Sequence, residues 1–197
     1  KGFRMIGVGF KHWKATNIKP MLSLDIDAVH FVKDVNGASK LLIRPRDCLF
    51  FWGAIPPVGL SDLAKACWAE IFHVEDGFVR SVGLGSDLIR PLSLVLDRRG
   101  IYFDATRESD LEHMLNTEIF GEDELAAARK VRGFIVEHGI TKYNLEPRVS
   151  VNWSAAGRRI LLVPGQVEDD ASIRFGCTSI KTNLGLLEAV RDSNPEA

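Results

Sequence analysis

Two stretches concentrate residue types that could make and break bonds. The denser is Gln166-Val167-Glu168-Asp169-Asp170-Ala171-Ser172, three adjacent carboxylates placed soon after the apolar run Ile160–Val163. Adjacent carboxylates repel one another, and a purely structural loop has little reason to collect them. In open α/β sheets, ligands bind outside the carboxyl ends of the strands, where this loop is expected to lie. The competing reading is a solvated acidic turn, with Asp170 or Ser172 capping a helical turn. If Asp170 caps, Asp169 is the freer carboxylate and the first choice for a chemical role.

The second stretch runs Val74-Glu75-Asp76-Gly77-Phe78-Val79-Arg80-Ser81 and continues into Gly83-Leu84-Gly85. It follows the apolar run Ile71 to Val74, so Glu75 and Asp76 are expected at another strand end. Gly83 and Gly85 let the backbone approach a ligand and offer N–H groups to an anion. Arg80 has the fork geometry for a carboxylate or phosphate. An internal Glu75–Arg80 ion pair beside a tight turn explains the same residues without a ligand.

Three other patterns carry less. Gly7-Val8-Gly9 follows a first apolar run, but the third glycine of a dinucleotide fingerprint is replaced by His12. Asp25-Ile26-Asp27 has the paired aspartates of haloacid-dehalogenase phosphatases, without the long apolar strand that should precede them. His12, His30, His73, His113 and His138 are scattered with no metal-binding spacing, so no metal site is expected.

The elements that must hold these residues belong to a balanced globular chain. Its 197 residues are 46% hydrophobic, which excludes a disordered protein, and 25 basic against 26 acidic residues leave no global field for nucleic acid. The longest apolar stretch, Cys48 to Leu60, is broken by Gly53, Pro56 and Pro57 and is too short to span a bilayer. No signal peptide is recognised at the start. Cys48, Cys67 and Cys177 are odd in number and lack CxxC spacing, as expected of reduced, buried thiols in the cytoplasm.

Short apolar runs alternating with helical periodicity predict an α/β layer fold. Strands are expected at Met5–Phe10, Ala28–Val32, Cys48–Trp52 and Ile160–Val163. Helices are expected from Ser61 to Ile71, Ser109 to Leu115, Glu122 to Glu137 and Thr182 to Ser193, the last with Leu184, Leu187 and Val190 facing inward. Pro91 to Ala105 reads as a β-hairpin turning at Asp97-Arg98-Arg99-Gly100, with Gly100 at positive φ. No repeat or interdomain linker interrupts the pattern.

Several long motifs go further. Glu75 to Gly85, then Pro91 to Thr106, and Pro164-Gly165-Gln166-Val167-Glu168-Asp169-Asp170-Ala171-Ser172-Ile173 resemble the KpsC-type capsular polysaccharide biosynthesis proteins. Thr182-Asn183-Leu184, Ser193-Asn194-Pro195 and Gly9-Phe10-Lys11-His12-Trp13-Lys14 are similar to the same family. The resemblance implies a retaining β-Kdo glycosyltransferase, moving the acidic keto sugar Kdo from CMP-Kdo to a Kdo-bearing phosphatidylglycerol acceptor. It implies no cofactor, a peripheral place at the cytoplasmic face of the inner membrane, and other capsule assembly proteins as partners.

The implied fold is GT-B, two Rossmann-like domains facing across a cleft, with residues 1–197 as one Rossmann-like N-terminal half. The family's His-Pro motif, associated with CMP binding, is absent, since no histidine here precedes a proline. The nucleotide-binding half is therefore expected to be missing and this piece alone to be inactive. Carried onto this chain, the nucleophile falls within Glu168, Asp169 and Asp170. Glu75 is the candidate general base, and Arg80, Ser81, Gly83, Gly85 and Gln166 are candidate substrate contacts. The alternatives are a non-catalytic domain presenting an acceptor glycolipid and a Mg²⁺-dependent phosphohydrolase built on the acidic loop.

Overall fold

A computed structural model of the chain describes residues 3–23, 25–145, 149, 152–154 and 157–197. They divide into two compact units, one of residues 1–102 and 108–146, the other of residues 103–107 and 147–197.

The first unit is built on a five-stranded sheet. In chain order it contains β1 (Met5–Val8), α1 (His12–Leu22), β2 (Val29–Val32), α2 (Val35–Ser39), β3 (Cys48–Trp52), α3 (Leu60–Cys67), β4 (Glu70–Asp76), β5 (Leu94–Asp97), α4 (Asp110–Thr117) and α5 (Glu122–Glu137). The strand order is β2-β1-β3-β4-β5. The first four strands are parallel and β5 is antiparallel to β4.

Successive side chains of the central strands point to opposite faces, which separates two apolar clusters. Ile6, Val8, Leu49 and Phe51 pack with Ala38, Leu60 and Ala64 on one face. Met5, Val29, Phe50 and Val74 pack with Ile18 of α1 on the other. Gly7 belongs to this packing, because a Cβ there would lie 2.6 Å from Phe50 Cζ and 2.7 Å from Phe31 Cδ1. Both rings also meet Phe10 edge-on, with centroids 5.2 and 5.3 Å away.

Several expectations are corrected here. The helix after Pro57 stops at Cys67 because Trp68 takes a left-handed conformation at φ 57°, and Ile71 belongs to β4. The cap before this helix is Gly59, and Ser61 lies inside it. The expected hairpin across Pro91–Ala105 does not form. β5 pairs instead with β4, setting Val95 opposite Glu75 and Leu94 opposite Asp76. Residues 101–105 form no strand, and Gly100 is not among the glycines of positive φ. Asp97 explains the turn: its Oδ1 accepts from the N–H groups of Arg99 and Gly100, both at 2.9 Å, and its Oδ2 from that of Asp110. The carboxylate thus bends the chain toward α4 rather than back along β5.

The second unit contains α6 (Ala171–Gly176) and α7 (Asn183–Ser193). Ile160–Val163, expected as a parallel strand, is not a strand. A strand needs neighbouring backbone to pair with, and among the described residues no ladder includes this segment. The inward face expected of α7 is open at Leu184 and Leu187, which are 65% and 53% exposed. No helix among the described residues is long and apolar enough to cross a membrane.

Candidate functional site

In the first unit, β4 delivers Glu75 and Asp76 to its carboxyl end, as the apolar run before them predicts. Asp76, not Glu75, pairs with Arg80. The distance from Arg80 Nε to Asp76 Oδ2 is 2.7 Å, and Arg80 is almost wholly buried. Its Nη1 donates to Ser81 Oγ at 2.7 Å and its Nη2 to the Ile89 carbonyl at 2.9 Å. Ser81 Oγ in turn donates to the Gly83 carbonyl at 2.7 Å.

The glycines of this loop have packing duties. A Cβ on Gly85 would lie 2.8 Å from Arg80 Nη2, and one on Gly83, whose φ is 118°, would lie 2.8 Å from Ile89 Cγ1. Gly77 is pressed against Ser93, whose Cβ would lie 2.7 Å from an added Cβ. The loop is also stitched to a distant segment. The N–H groups of Arg80 and Gly83 donate to the carbonyls of Lys142 and Tyr143, and Asn144 Nδ2 donates to the Ser81 carbonyl.

Glu75 is in a different electrostatic state from its neighbour's ion pair. Burial raises its carboxyl above the ordinary range, and the adjacent Asp76 charge adds to this. The N–H of Asp76, which donates to Glu75 Oε1 at 2.9 Å, and the charges of Lys14 and Lys142 act the other way without cancelling it. Lys14, on α1, is lowered by burial despite the attraction of Glu75 and Asp76. Its Nζ lies 3.3 Å from the centroid of the Trp52 ring, at the end of β3. Burial opposes the charge of Lys142, but Tyr102, Tyr143, Asp76 and Glu75 together hold its pKa above the ordinary value. Burial raises the Tyr102 phenol, which hydrogen-bonds Lys142. A carboxyl whose pKa is raised by burial is a stronger proton acceptor than an ordinary surface glutamate, as a general base requires. Lys14, Trp52, Tyr102 and Lys142 were not singled out as site residues. They come from four separate segments, and only the fold brings them beside Glu75.

In the second unit, the acidic loop is sorted by its hydrogen bonds. Asp170 caps α6, its Oδ1 accepting from Ser172 N at 2.9 Å and from Ser172 Oγ at 2.7 Å. Glu168 Oε1 accepts from Asn183 N at 2.7 Å, at the positive first turn of α7. Asn183 also clamps Gln166 through both ends of its carboxamide, donating to the Gln166 carbonyl and accepting from the Gln166 N–H, each at 2.9 Å. Gly165 permits this approach, since a Cβ there would lie 3.1 Å from Asn183 Oδ1. Thr182 Oγ1 caps α7 by accepting from Gly185 N. Asp169 is exposed, and no hydrogen bond or ion pair holds its carboxylate among the described residues. No group of three or more His, Cys, Asp or Glu among those residues could hold a metal ion.

The three cysteines are free and half-buried, less enclosed than the expected buried thiols.

The chain is similar to several known proteins. The chain is 36% identical over 192 residues to the capsule polysaccharide modification protein LipA of Neisseria meningitidis, covering 96% of this chain and 27% of LipA. It is 39% identical over 150 residues to the lipopolysaccharide-processing protein LpsZ of Rhizobium meliloti, covering 75% of this chain and 34% of LpsZ. Two solved structures share its fold. One is the β-Kdo 2,4 transferase of Thermosulfurimonas dismutans KpsC, with a TM-score of 0.77 at 29% identity over 100% of this chain. The other is the β-Kdo 2,7 transferase of the same protein, with a TM-score of 0.70 at 32% identity over 98%. This chain covers 59% of each of those two chains and about a third or less of the curated relatives' length. The family model described as capsule polysaccharide biosynthesis protein matches residues 47–152 and 147–197. With that match and the likeness to both KpsC structures, the chain belongs to the capsule polysaccharide biosynthesis family, as a protein of KpsC type.

Proposed function

We propose that the chain is part of a retaining β-Kdo glycosyltransferase of capsule assembly, with CMP-Kdo as donor and a Kdo-bearing glycolipid as acceptor. The observation that carries this reading is the likeness to two solved β-Kdo transferases over at least 98% of the chain. In the proposed reaction Asp169 attacks the anomeric carbon of Kdo, the bond to the CMP phosphate breaks, and a glycosyl ester forms on the protein. Glu75 then takes the proton of the acceptor hydroxyl, whose oxygen attacks the same carbon and releases Asp169. Two displacements restore the original anomeric configuration.

Gln166 and Glu168 hold the loop through Asn183, and Asp170 fixes its far side by capping α6. Arg80, Ser81, Gly83 and Gly85 act as a rigid support at the end of β4, presenting the loop backbone to the substrate. The remainder of a GT-B enzyme supplies the CMP site, so residues 1–197 by themselves should not turn over. The enzyme works at the cytoplasmic face of the inner membrane, where its lipid acceptor is presented, beside other capsule assembly proteins.

The test is transfer by the complete protein from CMP-Kdo to a synthetic β-Kdo acceptor, with the product's anomeric configuration read by NMR. A β-linked product supports the reading. An inverted product excludes a covalent intermediate on Asp169, and acceptor binding without any transfer would favour a non-catalytic acceptor-binding domain.

A further inference from the structure

At the amino end of the first unit's sheet, two large apolar side chains stand in water on backbone that disfavours them. Trp68 follows α3 at φ 57° and Leu42 follows α2 at φ 50°, and each is 81% exposed. The left-handed conformation crowds a Cβ and is the usual place of glycine after a helix. Trp68 closes α3 through its backbone, its N–H donating to the carbonyls of Ala64 and Lys65. A glycine would make the same hydrogen bonds without strain. Leu42 is turned outward between Leu41 and Ile43, which pack against the core, while Arg4 donates to the carbonyls of Leu41 and Leu42 at 3.1 and 3.0 Å. Neither exposed side chain offsets its strain by packing.

Charge is distributed to match. The helices α2 and α3 return the chain to the amino end before β3 and β4 begin, so residues 40–47 and 65–70 share that end. These segments carry Lys40, Arg44, Arg46 and Lys65, all exposed, and none of them forms an ion pair among the described residues. The acids there are Glu70 and the buried Asp47, which Arg4 neutralises. Asp34 and Asp62 lie at the far ends of the same helices, as the N-cap of α2 and in the first turn of α3. Asp47 also fixes the cationic segment, accepting from the N–H of Arg44 at 2.8 Å. Outward-turned apolar groups sharing one end with unpaired cations suit a surface of anionic headgroups over an apolar layer. Indole rings settle at headgroup depth, and the cations are drawn to the phosphates.

We propose that this end of the sheet docks on an anionic lipid surface, with Trp68 and Leu42 entering the headgroup layer and Lys40, Arg44, Arg46 and Lys65 meeting its phosphates. The inference rests on the membrane-face part of the proposed function and adds the surface that makes the contact. Glu75 lies five residues along β4 from Glu70, so it stands about 17 Å above the lipid, a height reached by sugars and not by acyl chains.

The experiment is flotation of the complete protein with vesicles of phosphatidylcholine containing about one-third phosphatidylglycerol, and with phosphatidylcholine alone. The native protein should float with the anionic vesicles, lose most of that binding at about 0.5 M salt, and remain unbound with the neutral ones. Trp68→Gly should weaken vesicle binding by about 10-fold with the unfolding temperature unchanged or raised, because glycine suits φ 57°. Lys40→Gln, Arg44→Gln and Arg46→Gln combined should weaken it by about 100-fold, roughly fivefold for each charge. Every variant should keep transfer to a water-soluble β-Kdo glycoside. No flotation with anionic vesicles, or flotation that all variants retain, would overturn the docking, while continued transfer to the soluble glycoside would leave the transferase reading standing. A large fall in unfolding temperature for Trp68→Gly would assign the indole to packing and overturn the proposal. So would a concentration-dependent dimer abolished by that variant, which would give the surface to a second copy. Flotation without transfer in the native protein would overturn the transferase reading and not the docking.

Discussion

Arg80 Nε stands 2.7 Å from Asp76 Oδ2, and this pair holds the loop after β4 from inside. The guanidinium spends its other donors on Ser81 and Ile89, so its removal orphans one buried charge and two acceptors at once. Arg80→Met is expected to destabilise the first unit by about 3–5 kcal/mol, the usual result of breaking a buried pair from one side. Gly85→Ala presses a methyl against the same guanidinium and should cost about 1–3 kcal/mol. In the double variant the Gly85 penalty should largely vanish, because the obstructing group is gone. Urea denaturation of the four proteins measures this cycle. Strict additivity would show that Gly85 is required for something other than Arg80.

This pair also shows what the sequence could and could not disclose. An ion pair within residues 75–80 is legible from composition, but its partner is chosen by side-chain direction at the strand end, where Glu75 and Asp76 point opposite ways. The first three parallel strands are legible because each is a short apolar run, and Cys48–Trp52 has the bounds expected for it, whereas the helical reading through Ile71 overlaps β4 and the equally apolar Ile160–Val163 is no strand. Ser109 and Thr182, expected as the starts of helices, stand at their N-caps, and of the two caps offered for the acidic loop Asp170 is the one that forms, since a short oxygen-bearing side chain before a helical pattern has few other uses. The pairing of β5 was not legible. Alternation fixes which residues share a face but not which strand lies alongside, and β4 competes with residues 101–105 for the same edge. The cations around Glu75 were hidden for a related reason: Lys14 and Lys142 are 128 positions apart, and nothing local marks either as part of a site.

Glu75 gives a pH signature. Burial raises its pKa on folding, so the folded chain binds this proton more tightly than the unfolded chain. Its contribution to stability is therefore fully present below the ordinary glutamate value of about 4.3 and is lost as pH rises through the raised folded value. Glu75→Gln keeps an acceptor for Asp76 N–H but has no charge to desolvate. Its stability should match the native chain near pH 4 and exceed it at about pH 8, as measured by thermal unfolding across that range. A Gln variant that is less stable at about pH 8 would contradict the burial penalty.

Asp47 should behave in the opposite sense. Burial works to raise its pKa, but hydrogen bonds from the Arg4 side chain and from the N–H groups of Arg44 and Arg4 outweigh that, and its carboxyl is held below the ordinary range. Its contribution is present above the unfolded value of about 3.9 and is lost as pH falls through the lower folded value. Asp47→Ala leaves Arg4 without its counter-charge beside the entry to β3 and is expected to cost about 3 kcal/mol at neutral pH. The gap between native and variant chains should close in acid. A gap that persists unchanged at about pH 2 would point to lost packing, not to the ion pair.

The proposed mechanism makes its sharpest demand on the acidic loop. A retaining transfer needs a carboxylate that is not already committed, since each hydrogen bond to a carboxylate stabilises the charge that must be given up on attack. Asp170 is committed to Ser172 and Glu168 to the first turn of α7, whereas Asp169 has no such partner among the described residues. Asp169→Asn in the complete protein should therefore lower transfer by about 10³-fold or more with little change in unfolding temperature, since it removes the nucleophile without touching a cap. Asp170→Asn should act chiefly on stability, by about 1 kcal/mol or less, because an asparagine oxygen can still cap α6. Glu75→Gln should slow the second step, so that a covalent Kdo ester accumulates after mixing with CMP-Kdo. Intact-protein mass spectrometry would detect that ester, and peptide mapping would place it on Asp169. Unimpaired transfer by Asp169→Asn, or an ester mapped to Asp170, would move the nucleophile away from Asp169.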